Sequence, residues 1–196
     1  MFQTISMKII WNELLFVFGF LAITSCGGNT ASVSLEKHPK LNLEKVLQEF
    51  IECKSASTEK HTCKEFIAKA INGNFELSDF NHPDSVGKYV DYDEIAAIVE
   101  ASSSWKKIGY AIDQEAMDYV QKYANEGKPA LAISTKSGIG NVAIIVEGKL
   151  VKSASWDLNC PTVAIFFPNR PEKSFIGKTL NFAWVKPDDI LLYIRD

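Results

Sequence analysis

An α+β fold, with helices first and an antiparallel sheet afterwards, is the fold class that this sequence predicts. Its 196 residues, 46% of them hydrophobic, suffice for one domain with a filled core. Between residues 41 and 126, apolar residues recur at the spacing of helices. From Ala130 onward, short apolar or alternating runs are separated by turns that contain glycine or proline, which is typical of strands.

The helical pattern indicates four helices. Thr62 and Glu65 have the spacing of a capping box, so the second helix is expected to begin with Cys63. The segment Asn-Gly-Asn at residues 72–74 is expected to end that helix. The other helices are expected at residues 43–51, 93–100 and 113–126, with polar loops at 54–60 and 78–88.

The strand pattern indicates six strands in the second part of the domain. Prolines and glycines bound these runs, and no repeat or low-complexity segment interrupts them. The strands are expected at residues 130–134, 141–147, 149–154, 163–167, 181–185 and 190–194.

The N-terminus is predicted to be a signal peptide over residues 1–25. The apolar run from Leu14 to Ile23 is too short to span a bilayer and has the length of a signal-peptide core. Ile23-Thr24-Ser25-Cys26 has an aliphatic residue, two small residues and a cysteine, and so resembles the lipobox of bacterial lipoproteins. The resemblance implies cleavage before Cys26, lipid attachment at its sulfur and anchoring in the bacterial cell envelope.

A secretory signal that is cut near Cys26 without lipidation is the alternative. In either case residues 26–40, which are small and polar, are expected to form a flexible tether. The folded domain is then expected to comprise residues 41–196. The net charge of −3, without a basic stripe, excludes nucleic acid as an expected partner.

Three cysteines remain after the predicted cleavage: Cys53, Cys63 and Cys160. The envelope is expected to be oxidising, so Cys53 can pair with Cys63 or with Cys160, and at least one thiol stays free. The spacing does not distinguish between the two pairings. No group of cysteines and histidines has the spacing of zinc ligands, so we expect no metal site and no cofactor.

Cys63 is the strongest candidate for chemistry. The start of a helix lowers the pKa of a thiol, because the backbone N–H groups and the helix dipole favour the thiolate. The segment Thr62-Cys63-Lys64-Glu65-Phe66-Ile67 is followed later in the chain by Gly140-Asn141-Val142-Ala143-Ile144-Ile145. Between and after them lie the segments Tyr92–Ala96, Ser104-Trp105, Asn125–Ala132 and Phe182-Ala183-Trp184 with residues 190–193.

In order and spacing these segments resemble the NlpC/P60 and CHAP group of papain-like peptidoglycan hydrolases. They are most similar to the branch that contains the type VI secretion amidase effectors. The resemblance spans residues 43–194 and implies a papain-like NlpC/P60-type domain, with N-terminal helices packed on a C-terminal antiparallel sheet. The resemblance also implies that residues 182–184 and 190–193 of this chain form the hairpin that closes the domain in this group.

The resemblance also implies roles for individual residues. Cys63 matches the nucleophile, and Asn141 stands where the group has its catalytic histidine. An amide has no titratable proton near neutral pH, so Asn141 cannot act as a general base. Asp157, or Asn159 beside it, matches the third residue, which orients the base. His61 is a weak candidate for a replacement base, because side chains two residues apart at a helix start point in different directions.

Each of these residues also has a structural interpretation. Cys63 is otherwise a small buried residue or one half of a disulfide, and Asp157 otherwise only caps a turn. The tryptophans Trp105, Trp156 and Trp184 either line a sugar or peptide groove or fill the core.

Three functions therefore remain open. The first is an envelope-anchored lipoprotein that binds the stem peptide of peptidoglycan and is weakly active or inactive as an enzyme. The second is an active cysteine amidase or peptidase that uses Cys63 with a non-standard base. The third is a lipoprotein that binds an envelope protein and no glycan.

Overall fold

A computed structural model describes residues 41–56, 63–136 and 142–196. These residues belong to one compact unit. Within them the α-helices are α1 (Leu43–Ala56), α2 (Phe66–Phe75), α3 (Ile95–Ala101) and α4 (Gln114–Asn125). The strands are β1 (Trp105–Tyr110), β2 (Ala130–Ser134), β3 (Val142–Ile145), β4 (Val151–Ser153), β5 (Leu158–Cys160), β6 (Thr162–Ile165), β7 (Phe175–Thr179) and β8 (Ile190–Arg195). Two short 3-10 helices cover Pro171–Lys173 and Leu180–Phe182.

A central antiparallel sheet has the strand order β1-β8-β2-β3-β6-β7. The β3 strand lies inside the sheet, whereas β1 and β7 form its two edges. The β4 and β5 strands pair only with each other, as a separate hairpin. The predicted α+β class, with N-terminal helices and a C-terminal antiparallel sheet, is confirmed.

Both faces of the sheet are buried. Successive side chains on a strand point to opposite faces, so a strand inside the sheet contributes to both cores. On β3, Val142 and Ile144 join one apolar cluster, whereas Ala143 and Ile145 join the other. The first core lies between the sheet and helices α1, α2 and α3. The second core lies between the sheet, helix α4 and the β4–β5 hairpin.

Aromatic packing joins α1 to the sheet in the first core. Phe50 is 1% exposed, and its ring centre lies 5.4 Å from that of Phe166 and 5.9 Å from that of Phe66. Full burial of an aromatic side chain contributes about 2 to 3 kcal/mol relative to exposure. Phe50 thereby holds α1 against both α2 and the residues that follow β6.

Helix α4 covers the second core with one apolar face and keeps its charged residues in solvent. The side chain of Asp113 accepts a hydrogen bond from the Glu115 N–H, as an N-cap does. The amide of Gln121 is buried on the same face. It accepts from the Thr162 N–H at 2.7 Å and donates to the Val146 carbonyl at 2.9 Å. The α4 helix is therefore tied to β6 and to the end of β3 through polar as well as apolar contacts.

A polar cluster ties the C-terminus to the loop after α2. The guanidinium of Arg195 donates two hydrogen bonds to the Asp79 carboxylate, at 2.7 and 3.0 Å. The Trp105 indole N–H donates a third at 2.8 Å. Burial raises the pKa of Asp79, but these hydrogen bonds and the charge of Arg195 outweigh it and hold that pKa below its usual value.

The helix positions agree with the sequence pattern, but the end of α1 and both ends of α2 differ from those expected. Helix α1 continues to Ala56, into the segment expected to be a loop. Helix α2 begins at Phe66 and runs through residues 72–74 to Phe75, so the predicted helix end is wrong. The chain leaves the helix at Glu76, which adopts the left-handed conformation with φ of 56°.

Asn72 explains why α2 does not stop at the Asn-Gly-Asn segment. Its side chain is buried, donates to the Asn81 side chain at 3.0 Å and accepts from the Phe80 N–H at 3.3 Å. A residue type that often ends a helix is used here to hold the following loop.

Five of the expected strands occur close to their predicted positions, as β2, β3, β4, β6 and β8. The strand expected at 181–185 is wrong: a 3-10 helix covers Leu180–Phe182, and no strand includes residues 181–185. Phe182 and Val185 are 63% and 89% exposed, so no buried sheet face organises this segment. The β8 strand pairs with β1 and β2, so residues 182–193 do not form a closing hairpin.

None of the α-helices in the described ranges is long and apolar enough to cross a membrane. The predicted signal peptide, Cys26 and the tether lie outside the described residues.

Candidate functional site

Cys63 lies in the turn before α2 and is joined to Cys53 by a disulfide, with 6.1 Å between the two Cα atoms. Of the two pairings that the sequence left open for Cys53, the structure has the shorter one. A disulfide sulfur has no proton to lose and cannot attack a carbonyl carbon. In this state Cys63 is therefore not a nucleophile.

The turn around Cys63 differs from a helix start. Cys63 has φ of 69°, and two residues, Lys64 and Glu65, separate it from the first residue of α2. The Glu65 carboxylate accepts a hydrogen bond from the Tyr89 N–H at 3.3 Å. The expected capping box partner is thus used to hold a neighbouring loop.

Lys64 fixes this turn electrostatically. Its ammonium lies 3.4 Å from the Asp91 carboxylate and 3.3 Å from that of Asp93, and 5.6 Å from the centre of the Tyr92 ring. Burial lowers the pKa of Lys64, but hydrogen bonds and attraction from the two carboxylates outweigh it and raise that pKa. Lys64, the residue that follows Cys63, is thus neutralised by two acids and offers little stabilisation to a thiolate.

Asn141, which the resemblance would match to a catalytic histidine, lies outside the described residues, as do Thr62 and His61. The strand that follows Asn141 is described. Its residues Val142 and Ile144 belong to the first core, the cluster against which Cys63 packs. The meeting of Cys63 and Asn141 stays a prediction.

Asp157 lies in the turn of the β4–β5 hairpin, with φ of 55° and a side chain that is 91% exposed. The Lys152 ammonium lies 2.6 Å from its carboxylate and also donates to its carbonyl. The hydrogen bond from Lys152 lowers the pKa of Asp157. Its neighbour Trp156 packs in the second core.

The sheet therefore lies between the two predicted site residues that the structure describes. Cys63 packs against the first core, whereas the hairpin with Asp157 covers the second. Asn159 is held in the hairpin by its backbone, which exchanges hydrogen bonds of 2.7 and 3.0 Å with the Gln114 side chain. The structure does not bring Asp157 or Asn159 to Cys63.

No family model and no curated protein matches this chain. Across residues 41–56, 63–136 and 142–196, no three His, Cys, Asp or Glu side chains are grouped so that they could hold a metal ion. Cys160, which is fully buried, is a free cysteine, and burial raises the pKa of its thiol. It offers no accessible nucleophile.

A groove of about 520 Å³ lies at the β7 edge of the sheet, between Phe167 and Val185. We call it the 167–185 groove. Its walls come from the loop after β6, from β7 and from the segment around the second 3-10 helix. Its exposed lining includes the cations Arg170, Lys173 and Lys178, together with Glu172, Phe182 and Val185.

The sequence patterns did not indicate this groove, apart from Trp184, which lines it. The other two candidate tryptophans, Trp105 and Trp156, are 6% and 9% exposed and pack in the two cores. The only available signal was the mixture of aromatic and basic residues between 166 and 184. Such a mixture does not identify a surface until the chain folds the residues together.

Proposed function

We propose that this chain is an envelope-anchored lipoprotein that binds the stem peptides of peptidoglycan and does not cleave them. The observation that carries the proposal is the Cys53–Cys63 disulfide. This bond engages the Cys63 sulfur, which the resemblance to papain-like hydrolases would identify as the nucleophile. A domain with the architecture of an enzyme but without its nucleophile is suited to binding.

Two further features support the loss of catalysis. Asn141 stands where a histidine would take up and return a proton, and a carboxamide cannot perform that step. General acid–base help is worth about 10² to 10⁴-fold in rate. Asp157, the candidate for the orienting residue, pairs with Lys152 on an exposed turn. With each of the three roles affected, we expect no turnover above that of a control without the protein.

The disulfide also supports the proposed location. Disulfides persist in oxidising compartments such as the bacterial envelope and are rare where thiols are kept reduced. The lipobox-like segment that ends at Cys26 independently favours export and anchoring. Globomycin, which blocks the lipoprotein signal peptidase, should cause the unprocessed form to accumulate; unchanged migration would remove the lipid anchor from the proposal.

The direct test incubates the full chain, purified in detergent without reductant, with isolated peptidoglycan sacculi. We expect the chain to sediment with the sacculi and to release no soluble fragments that chromatography can detect. The same incubation with a reductant, using wild type and Cys63→Ser in parallel, asks whether a freed thiol restores cleavage. We expect no fragments in either case, because Asn141 still lacks a titratable proton.

The alternatives correspond to distinct results. Fragments that wild type releases and Cys63→Ser does not would favour an active cysteine amidase or peptidase and overturn the binding role. A chain that does not sediment with sacculi, but recovers an envelope enzyme from a membrane extract, would favour a lipoprotein that binds a protein partner.

A further inference from the structure

We infer that the 167–185 groove is a binding site for a peptide that carries carboxylates. Its cations bind the carboxylates, and its aromatic rings contact the apolar parts of the peptide. The inference rests on the proposed function and names the part of the surface that performs it. Cys63 does not line this groove, so the site does not include the predicted nucleophile.

The charge of the groove is opposite to that of the whole chain. Arg170, Lys173 and Lys178 line it with a single acid, Glu172, so three positive charges face one negative charge. The chain as a whole has a net charge of −3. A local positive surface therefore attracts anions, even on a protein whose net charge is negative.

These three cations are available to a ligand. Among the ion pairs between described residues, none involves Arg170, Lys173 or Lys178. By contrast, Lys64, Lys69 and Lys152 each contact a carboxylate. An exposed guanidinium and two ammonium groups supply several N–H donors that match carboxylate oxygens.

Aromatic rings hold two of the cations in place. The Lys178 ammonium lies 5.3 Å from the centre of the Phe175 ring and 5.9 Å from that of Phe182. The Arg170 guanidinium lies 5.8 Å from the Phe167 ring centre. A cation within about 6 Å of a ring centre is attracted to the ring face. The heads are thus oriented while their remaining N–H groups stay free for an anion.

The groove also presents apolar surface beside its charges. Phe182 and Val185 are 63% and 89% exposed, and Trp184 is half-buried. Exposed aromatic and aliphatic side chains next to cations match a peptide that carries both carboxylates and methyl or methylene groups. Alanine-rich stem peptides with free carboxylates have both kinds of group, whereas a neutral glycan has no carboxylates.

Hydrogen bonds fix the walls of the groove before any ligand arrives. The Ser174 hydroxyl accepts from the Phe167 N–H at 2.8 Å and closes the loop that carries Arg170. The Trp156 indole donates to the Val185 carbonyl at 2.9 Å, so the β4–β5 hairpin supports the far wall. A site that is already ordered loses less conformational entropy on binding.

The test measures sedimentation of the full chain, in detergent and under oxidising conditions, with sacculi. The test variant is Arg170→Glu/Lys178→Glu, and the matched control is Lys106→Glu/Lys107→Glu. The control changes the net charge equally on exposed residues of β1, at the opposite edge of the sheet. Lys107 also lies over an aromatic ring, that of Tyr110 at 5.2 Å, so the control removes a similar local contact.

We expect the groove variant to bind sacculi at least about tenfold more weakly, since the loss of even one charge-assisted hydrogen bond costs about a factor of ten. The control variant should bind as wild type does, and Arg170→Lys/Lys178→Arg should retain binding. Wild type should also lose binding to sacculi whose carboxyl groups have been converted to amides with carbodiimide and ammonium. Circular dichroism of each variant verifies that the fold is kept.

The two proposals fail in different ways. If wild type binds sacculi and the groove variant binds equally well, or if amidated sacculi bind as strongly, the groove assignment is wrong and the proposed function stands. If wild type does not bind sacculi at all, the proposed function is wrong and the groove assignment falls with it.

Discussion

Cys53 in α1 and Cys63 in the turn before α2 are covalently joined and lie 10 positions apart in sequence. The bond joins α1 to the turn before α2, and both helices pack on the first core. It also gives Cys63 a structural role that requires no catalytic one.

Reduction of the Cys53–Cys63 bond should destabilise the domain. Closing a loop of this length in the unfolded chain is worth about 2 to 3 kcal/mol in the chain-entropy model. We expect denaturant unfolding with a reductant to give a free energy of unfolding lower by that amount. The double variant Cys53→Ala/Cys63→Ala should resemble the reduced protein and should not respond to reductant. Equal stability of wild type with and without reductant would contradict the bond.

Phe50→Ala should lower the free energy of unfolding by about 3 to 5 kcal/mol, the range for deletion of a buried aromatic side chain. Phe50 is 1% exposed between Phe66 and Phe166, so its removal leaves a cavity between α1 and the sheet. The matched control is Phe182→Ala, since Phe182 is 63% exposed, and it should change stability by less than about 1 kcal/mol. Urea unfolding followed by circular dichroism measures both. A small effect at Phe50 would show that the first core is packed differently.

The Asp79–Arg195 pair should make stability fall at acid pH. The pKa of Asp79 is lower in the folded state, so its contribution is fully present above the unfolded pKa of about 3.9 and is lost as pH falls through the folded pKa. Asp79→Asn should lower the free energy of unfolding by about 1 to 3 kcal/mol at pH 7, because its hydrogen bonds are weaker. The stability of this variant should also fall less than that of wild type as the pH is lowered. Thermal unfolding between pH 2 and about 7 measures this.

Asp84→Asn is the control for the Asp79 variant, because Asp84 is exposed in the same loop. It should change stability at pH 7 by less than about 0.5 kcal/mol. An Asp79 variant with the stability and acid response of wild type would show that the pair with Arg195 is unimportant in solution.

Gln121→Met should destabilise the domain by about 1 to 3 kcal/mol, because it leaves the buried Thr162 N–H without its acceptor. Methionine has a similar length and helix propensity, so the polar contacts are the main loss. Gln48→Met on the exposed side of α1 is the matched control and should be nearly neutral. Chemical denaturation of both variants gives the comparison; equal stabilities would show that the Gln121 network contributes nothing.

Periodic patterns predicted the elements that are buried on one or both sides. The α4 helix and strands β2 and β8 were found because their apolar residues recur regularly and fill the cores. The edge strands were missed for a physical reason. In β1 most side chains are exposed or half-buried, and the pairing of β7 is irregular, with Gly177 at φ of 83°. Edge strands need less apolar surface, so their signal in the sequence is weak.

The candidate site was harder to predict than the fold. A cysteine can be a nucleophile or half of a disulfide, and the sequence allowed Cys63 to be either. Whether Cys53 lies within reach depends on how α1 and α2 pack, which is a tertiary property. Likewise Arg170, Lys178 and Phe182 come from three different segments and form one surface only after folding.

The state of the Cys63 sulfur in the mature protein tests the account most directly. The full chain, expressed with its own leader and purified from membranes, is alkylated under denaturing conditions without reductant and digested with trypsin. Mass spectrometry should find the peptide His61–Lys64 linked to the peptide Val46–Lys54, with the alkyl group on Cys160. Separate peptides with alkylated Cys53 and Cys63 would contradict the account and return Cys63 to the role of a possible nucleophile.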